Sequence, residues 1–186
     1  ISNQSETIKQ VEGASLHVEP IDLFAGEARK FQPFLGTMSG AVKLKYGGTK
    51  NNISAKIDLW ENGTRTKTYS SIGTSIQYSK TKDYEGEFIA SIKAVSLEGS
   101  KPLYEITAAF ANQNGTSSAI TYIDRDSRLN GISTIQLNQS LDVPENKEVA
   151  VWGIQATDKN EWETVDFTPE RLKTARWALV FKLSVN

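Results

Sequence analysis

Hydrophobic and polar residues alternate with a period of two through most of the chain. The clearest case lies near the C-terminus, where apolar residues occupy every second position: Trp177, Leu179, Phe181, Leu183 and Val185. Successive side chains of a strand point to opposite faces, so this alternation predicts strands with one buried face. About nine or ten such segments follow one another with turn signals between them. We therefore expect an all-β, single-domain, mainly antiparallel β-sandwich with one short C-terminal helix.

The Asn62-Gly63 pair lies between two alternating segments and is the strongest turn signal in the chain. Both central residues of a type I′ turn need positive φ angles, which Asn and Gly adopt readily. A two-residue loop also fixes the register of the two strands. Trp60 is then expected opposite Arg65, and Tyr69 opposite Lys56 on the same polar face.

Two further turns follow from the same type of signal. Asn114-Gly115 predicts a second two-residue turn, which would place Phe110 opposite Ala119. The charged stretch 80–86 predicts a turn before a strand at 88–95.

The predicted helix begins at Thr168-Pro169-Glu170 and runs to about Ala175. Thr168 offers a capping oxygen, Pro169 suits the first helical position, and Glu170 favours the first turn. We expect this helix to cover one end of the sandwich.

Residues 1–15 contain few apolar side chains, so they are expected to form a flexible polar leader to a domain at 16–186. The sequence opens with Ile1 rather than Met. This beginning fits a mature form tethered to a membrane anchor through its N-terminal segment.

Composition limits the chemistry that is expected. The chain has 21 basic and 22 acidic residues, a formal net charge of −1, one histidine and no cysteine. The charge balance gives no reason to expect nucleic acid as a partner. Without cysteine there are no disulfides and no thiol catalysis, and a zinc site would lack ligands. No apolar run is long enough to insert into a membrane. We expect no metal and no cofactor.

Four residues are the candidates for ligand binding: Trp60, Arg65, Tyr69 and Trp162. Trp60 shares its predicted strand face with charged residues, and Trp162 lies between two glutamates. An indole on a charged sheet face is able to stack on a flat ligand such as a sugar. The alternative is that Trp60 only covers Arg65 or is buried by another element. Trp152 and Trp177 lie in apolar segments and are expected in the core.

No catalytic residues are assigned. Asp124 and Asp126 resemble the start of a calcium loop, but Arg128 and Leu129 occupy the positions where the motif needs a ligand and glycine. A charged turn is the better interpretation. His17 has no recognisable nucleophile motif to serve. A hydrolase that uses two carboxylates remains an alternative, because the sequence does not give the distance between carboxylates.

Three stretches carry a resemblance to known proteins: HVEPIDLFAGE at 17–27, VAVWGIQAT at 149–157 and FTPERLKTARWALVFKL at 167–183. They resemble uncharacterised cell-envelope proteins of Gram-positive bacteria. The resemblance implies an extracytoplasmic β-sandwich, either secreted or attached to the membrane through a lipid. It carries over no functional residues.

These observations predict a non-catalytic binding or assembly module of the bacterial cell envelope. Its partner would be an envelope component, either a glycan bound through an exposed aromatic residue or a protein. The main alternative is a protein-interaction accessory without a small-molecule site. A carboxylate-dependent hydrolase is the third hypothesis.

Overall fold

The computed structural model describes residues 13–76, 82–96, 98–159, 163 and 165–186. These residues form eleven strands: β1 (Ser15–Ile21), β2 (Ser39–Gly48), β3 (Asn52–Glu61), β4 (Thr64–Ser75), β5 (Lys82–Val95), β6 (Leu103–Asn112), β7 (Gly115–Asp124), β8 (Gly131–Gln136), β9 (Leu141–Pro144), β10 (Val149–Thr157) and β11 (Trp177–Val185). A 3₁₀ turn at Gly26–Phe31 leads into the helix α1 (Gln32–Leu35), and a second helix, α2, spans Pro169–Leu172.

The strands form two antiparallel sheets, which confirms the predicted all-β, sandwich-like fold. The six-stranded sheet has the order β7-β6-β5-β2-β1-β9, and the five-stranded sheet has the order β4-β3-β11-β10-β8. The strand count is slightly higher than predicted, because β1 and β9 were not recognised as strands. The short helical segment at 26–35 was also not expected there.

The main core lies between the two sheets and is built from the alternating apolar positions of both. Its largest fully buried side chains include Tyr104, Phe88, Phe110, Phe181, Leu16 and Leu44. The Phe181 ring lies 5.8 Å from the ring centroids of both Phe88 and Trp152, so it connects the two sheets. Trp152 and Trp177 are buried in this core, as predicted.

A second, smaller apolar cluster lies on the outer face of the five-stranded sheet. Leu172 of α2, together with Val165 and Ala175, packs there against Ala178 and Val180 of β11. The predicted helix start at Pro169 is confirmed, although the helix ends at Leu172. It covers a sheet face rather than one end of the sandwich, because β11 is apolar on both faces in its first half.

The first predicted hairpin is confirmed at its turn. Asn62 and Gly63 have φ angles of 51° and 76°, as a type I′ turn requires. Trp60 lies opposite Arg65, as predicted. The turn is also docked against the chain after α2, since the Asn62 and Gly63 amides donate to the carbonyls of Arg176 and Ala175.

Two other local predictions are wrong. The β6–β7 turn consists of Gln113 and Asn114, so Phe110 lies opposite Ser117 rather than Ala119. Residues 82–86 belong to β5 instead of a turn, because Asp83 and Glu85 point outward on either side of the buried Tyr84, and Glu85 lies opposite Lys45 of β2. The predicted leader lies mostly outside the described residues, and β1 already begins at Ser15.

Candidate functional site

Trp60 and Arg65 are neighbours on the outer face of the five-stranded sheet. Arg65 is exposed, whereas the Trp60 side chain is partly buried and packs against the second apolar cluster. One side of the indole is therefore in contact with the protein itself. This arrangement matches the predicted alternative in which Trp60 is covered by another element.

Tyr69 does not join Trp60 and Arg65. A β-bulge lies between the Leu59 and Trp60 positions of the hairpin, so Tyr69 pairs with Ile57 instead of Lys56. The extra residue turns Tyr69 toward the main core, which it contacts as a partly buried side chain. Trp162 lies outside the described residues. The structure thus brings together two of the four predicted residues, and their role in binding stays a prediction.

Beside Trp60, the same sheet face carries a network of ion pairs centred on Asp58. Asp58 is 2% exposed, although it lies on the outer face. Its carboxylate accepts from Lys182 Nζ at 2.8 Å and from Thr68 Oγ1 at 2.6 Å, and Arg65 Nη1 lies at 3.5 Å. Lys182 Nζ also donates to Glu148 at 2.8 Å. A network this fully paired is structural in character, because the groups bind one another rather than facing an open cavity.

Glu148 is the outer acid of this network. Hydrogen bonds from Lys182 and then from Lys56, at 2.8 and 2.7 Å, lower the pKa of Glu148 to about 2. Burial by itself would lower the pKa of Lys182, but its hydrogen bonds to Asp58 and Glu148 outweigh that effect and leave it raised. Both groups are therefore charged near neutral pH.

The lowered pKa of Glu148 predicts an acid-sensitive contribution to stability. The contribution is fully present above the ordinary glutamate value of 4.5 and is lost as the pH falls from there through about 2. In urea unfolding between pH 6 and pH 2, Glu148→Gln should lose less free energy of unfolding over this window than the wild type. Glu98→Gln, an exposed glutamate in the β5–β6 turn, is the control and should follow the wild type. If the free energy of unfolding fell equally with pH in all three proteins, the prediction would be contradicted.

An open groove of about 1400 Å³ lies on the outer face of the six-stranded sheet. We call it the charged groove. Its central residues come from four adjacent strands: Glu85 of β5, Lys45 of β2, His17 of β1 and Asp142 of β9. Residues 13–15 and the Asn112-Gln113 turn also line it. The groove faces away from the core, because the alternate residues of the same strands fill the sandwich interior.

The side chains of the charged groove are paired across the strands. Lys43 and Lys45 each place Nζ 3.6 Å from the Glu85 carboxylate. His17 Nδ1 lies 2.8 Å from Asp142 Oδ1. These groups remain accessible, with Asp142 having 70% of its side chain exposed. The surface therefore presents lysine donors beside carboxylate acceptors, and four acids (Asp83, Glu85, Glu87 and Asp142) face two lysines along its lining.

The Asp124–Asp126 turn lines a second, smaller cavity of about 410 Å³ at one end of the sandwich. Arg128 donates to both carboxylate oxygens of Asp126, with Nη2 at 2.7 Å and Nε at 2.9 Å. These bonds lower the pKa of Asp126 to about 2. The carboxylate that a calcium loop would use is bonded to an arginine here, which agrees with a charged turn.

The carboxylates do not show the pattern expected of a general acid, whose pKa would be raised. Four described carboxyl groups have a clearly shifted pKa, and in each the shift is downward: Asp126, Glu145, Glu148 and Asp166. For Glu145 the main cause is the hydrogen bond that the Tyr46 hydroxyl donates to it. The hydrolase alternative thus gains no support from these groups.

Within the described ranges, no three histidine, aspartate or glutamate residues are grouped so as to hold a metal ion. No helix in the described part of the chain is long and apolar enough to cross a membrane. Comparisons with protein-family models, with curated proteins and with solved structures found no match to this chain.

Proposed function

We propose that this chain is a non-catalytic binding module whose ligand lies in the charged groove. The observation that carries the proposal is the row of Glu85, Lys45, His17 and Asp142, which lines this groove across four strands. Large concave sites with convergent polar groups are the usual place for ligand binding. This surface replaces the Trp60 face as the candidate, since that indole is partly covered.

The chemistry of the groove favours a neutral, polyhydroxylated ligand such as a glycan. Each sugar hydroxyl both donates and accepts, and the row offers lysine donors beside carboxylate acceptors. The lining carries two more acids than lysines, so an anionic polymer would meet repulsion there, whereas a neutral ligand would not. The exposed ion pairs cost little to open, because such pairs contribute about 1 kcal/mol or less.

The cellular setting belongs to the proposal as well. An extracytoplasmic module of a bacterial envelope agrees with the resemblance noted for residues 17–27, 149–157 and 167–183. Neutral glycans of the envelope would then be within reach of the charged groove.

The experiment is thermal unfolding with a panel of neutral oligosaccharides and cell-wall glycan fragments. A ligand at 100 times its dissociation constant stabilises the folded state by about 2.7 kcal/mol. For a domain of this size, the midpoint should rise by roughly 5–10 °C. Lys45→Gln should reduce the rise, because it removes a donor at the centre of the groove. Lys93→Gln, on the same sheet face but outside the groove, should keep it.

Two results would overturn the proposal. One is a flat response to the whole panel, and the other is a rise that Lys45→Gln leaves unchanged. The flat response would favour the alternative, a protein-interaction accessory.

A specific observation supports that alternative: Phe31 and Phe34, beside and within α1, are 52% and 73% exposed. Exposed aromatic side chains are frequent anchors of protein interfaces.

A further inference from the structure

Among the described strands, β7 forms one edge of the six-stranded sheet and is hydrogen-bonded to β6 alone, with β4 of the other sheet close by. It is ten residues long and contains no proline and no lysine, and its pairing with β6 is free of bulges. Its only charged residue is Asp124, at the very end. Such an edge presents unpaired backbone groups to a further strand, and natural proteins usually protect edges of this kind.

The other three edges of the described sandwich carry the protection that β7 lacks. The strand β4 has an irregular register and exposes Arg65 and Lys67. The strand β9 has four residues and ends in Pro144. The strand β8 has six residues, and Ile135 in it is covered by the second apolar cluster. Among the described edges, β7 is therefore the one best suited to pair with a further strand.

The outward face of β7 is apolar at its centre. Ile120 and Tyr122 share this outward face, and they are 56% and 55% exposed. The Tyr122 hydroxyl donates to Glu105 at 3.0 Å, which holds the ring against the sheet. The edge therefore offers backbone hydrogen bonds together with an adjoining apolar surface.

We propose that this further strand is the β7 strand of a second copy of this chain, paired antiparallel about Ile120. In this register the two Ile120 side chains meet, and each Tyr122 lies beside Ser118 of the other copy. The two Asp124 carboxylates stand eight positions apart, or about 27 Å, which exceeds the screening length of about 8–10 Å. The strand is thus complementary to itself in both charge and apolar surface. This inference does not rest on the proposed function, since β7 lies outside the charged groove.

The dimer should be weak. One strand edge with two apolar side chains buries less than the roughly 800 Å² per partner that stable complexes bury, so we expect dissociation in the micromolar range or weaker. In sedimentation equilibrium, the average mass should rise from 20.5 kDa toward twice that value as concentration increases. Ile120→Lys should raise the dissociation constant at least about tenfold, because two like charges would face each other. Phe34→Lys, at an exposed apolar position away from β7, should leave the dissociation constant unchanged.

The absence of cysteine allows a direct test of the register. Under mild oxidation, Ile120→Cys should form a disulfide-linked dimer, because directly opposite residues have Cα atoms about 4.5–5.5 Å apart, within disulfide range. Ser118→Cys should not, since its two copies would be about 14 Å apart. A wild type that stays monomeric up to millimolar concentration would overturn the proposal. So would a dimer that Ile120→Lys does not weaken, or equal cross-linking of the two cysteine variants.

Discussion

Replacing Gly40 with alanine should lower the free energy of unfolding by about 3 kcal/mol, near the upper end of overpacking costs. Gly40 lies on the core side of β2, and the Trp152 indole from the opposite sheet packs flat against its backbone. A methyl group there would overlap three atoms of the ring. Trp152 has little room to move, because its other neighbours include the buried ring of Phe181. The loss therefore reflects steric overlap between the two sheets.

The matched control is Gly47→Ala in the same strand. Gly47 is exposed, and its added methyl would meet only the mobile Asp83 carboxylate, at 3.1 Å. This variant should stay within about 0.5 kcal/mol of the wild type. In thermal unfolding, the midpoint should fall by roughly 6–12 °C for Gly40→Ala but not for Gly47→Ala. The double variant Gly40→Ala/Trp152→Leu should lose less than the sum of the single losses, because the smaller side chain removes the overlap. Additive losses would contradict this account.

The existence of most strands could be predicted from the sequence, because burial on one sheet face imposes a period of two. The segment 177–185 shows this alternation directly and is β11 in the structure. The strand β9 was missed because it has only four residues, too few for an alternation to be recognised. The strand β1 was missed because His17 and Glu19 lie on its outward face, next to a polar N-terminal stretch.

Strand register was less predictable, because a β-bulge leaves no clear signal in the residues around it. One extra residue in β4 moves Tyr69 from the outer face to the core side. Another bulge, between Ala150 and Trp152, places the consecutive residues Val151 and Trp152 both in the main core. Predictions that depend on the face of a residue beyond a bulge therefore fail, even where the turn itself is correct.

The charged groove could not be predicted for a different reason. His17, Lys45, Glu85 and Asp142 are far apart in the sequence and form no local motif. They become neighbours only through the strand order β5-β2-β1-β9, which depends on long-range pairing. The alternation of Lys43 with Lys45, and of Glu85 with Glu87, was the only available signal. It becomes informative once β2 and β5 are known to be paired.

Replacing Asp58 with alanine should cost about 3 kcal/mol of unfolding free energy, because it leaves Lys182 without its buried partner. The Lys182 side chain is 17% exposed, and its remaining acid, Glu148, lies toward solvent. Thr68 would also lose its acceptor. The expected fall in the unfolding midpoint is roughly 6–12 °C. Asp142→Ala is the control: it breaks an ion pair with His17 that is largely exposed, so it should cost about 1 kcal/mol or less.

A double variant separates the cost of a buried unpaired charge from the loss of an attraction. In Asp58→Leu/Lys182→Met both buried charges are removed, and Glu148 keeps Lys56 as its partner. Apolar replacement of a whole buried pair is often neutral or stabilising, so this protein should be more stable than Asp58→Ala. If the double variant were no more stable than Asp58→Ala, the loss would come from the missing attraction of the pair rather than from an unpaired buried charge. The network would then stabilise the fold directly, rather than only requiring that its members stay paired.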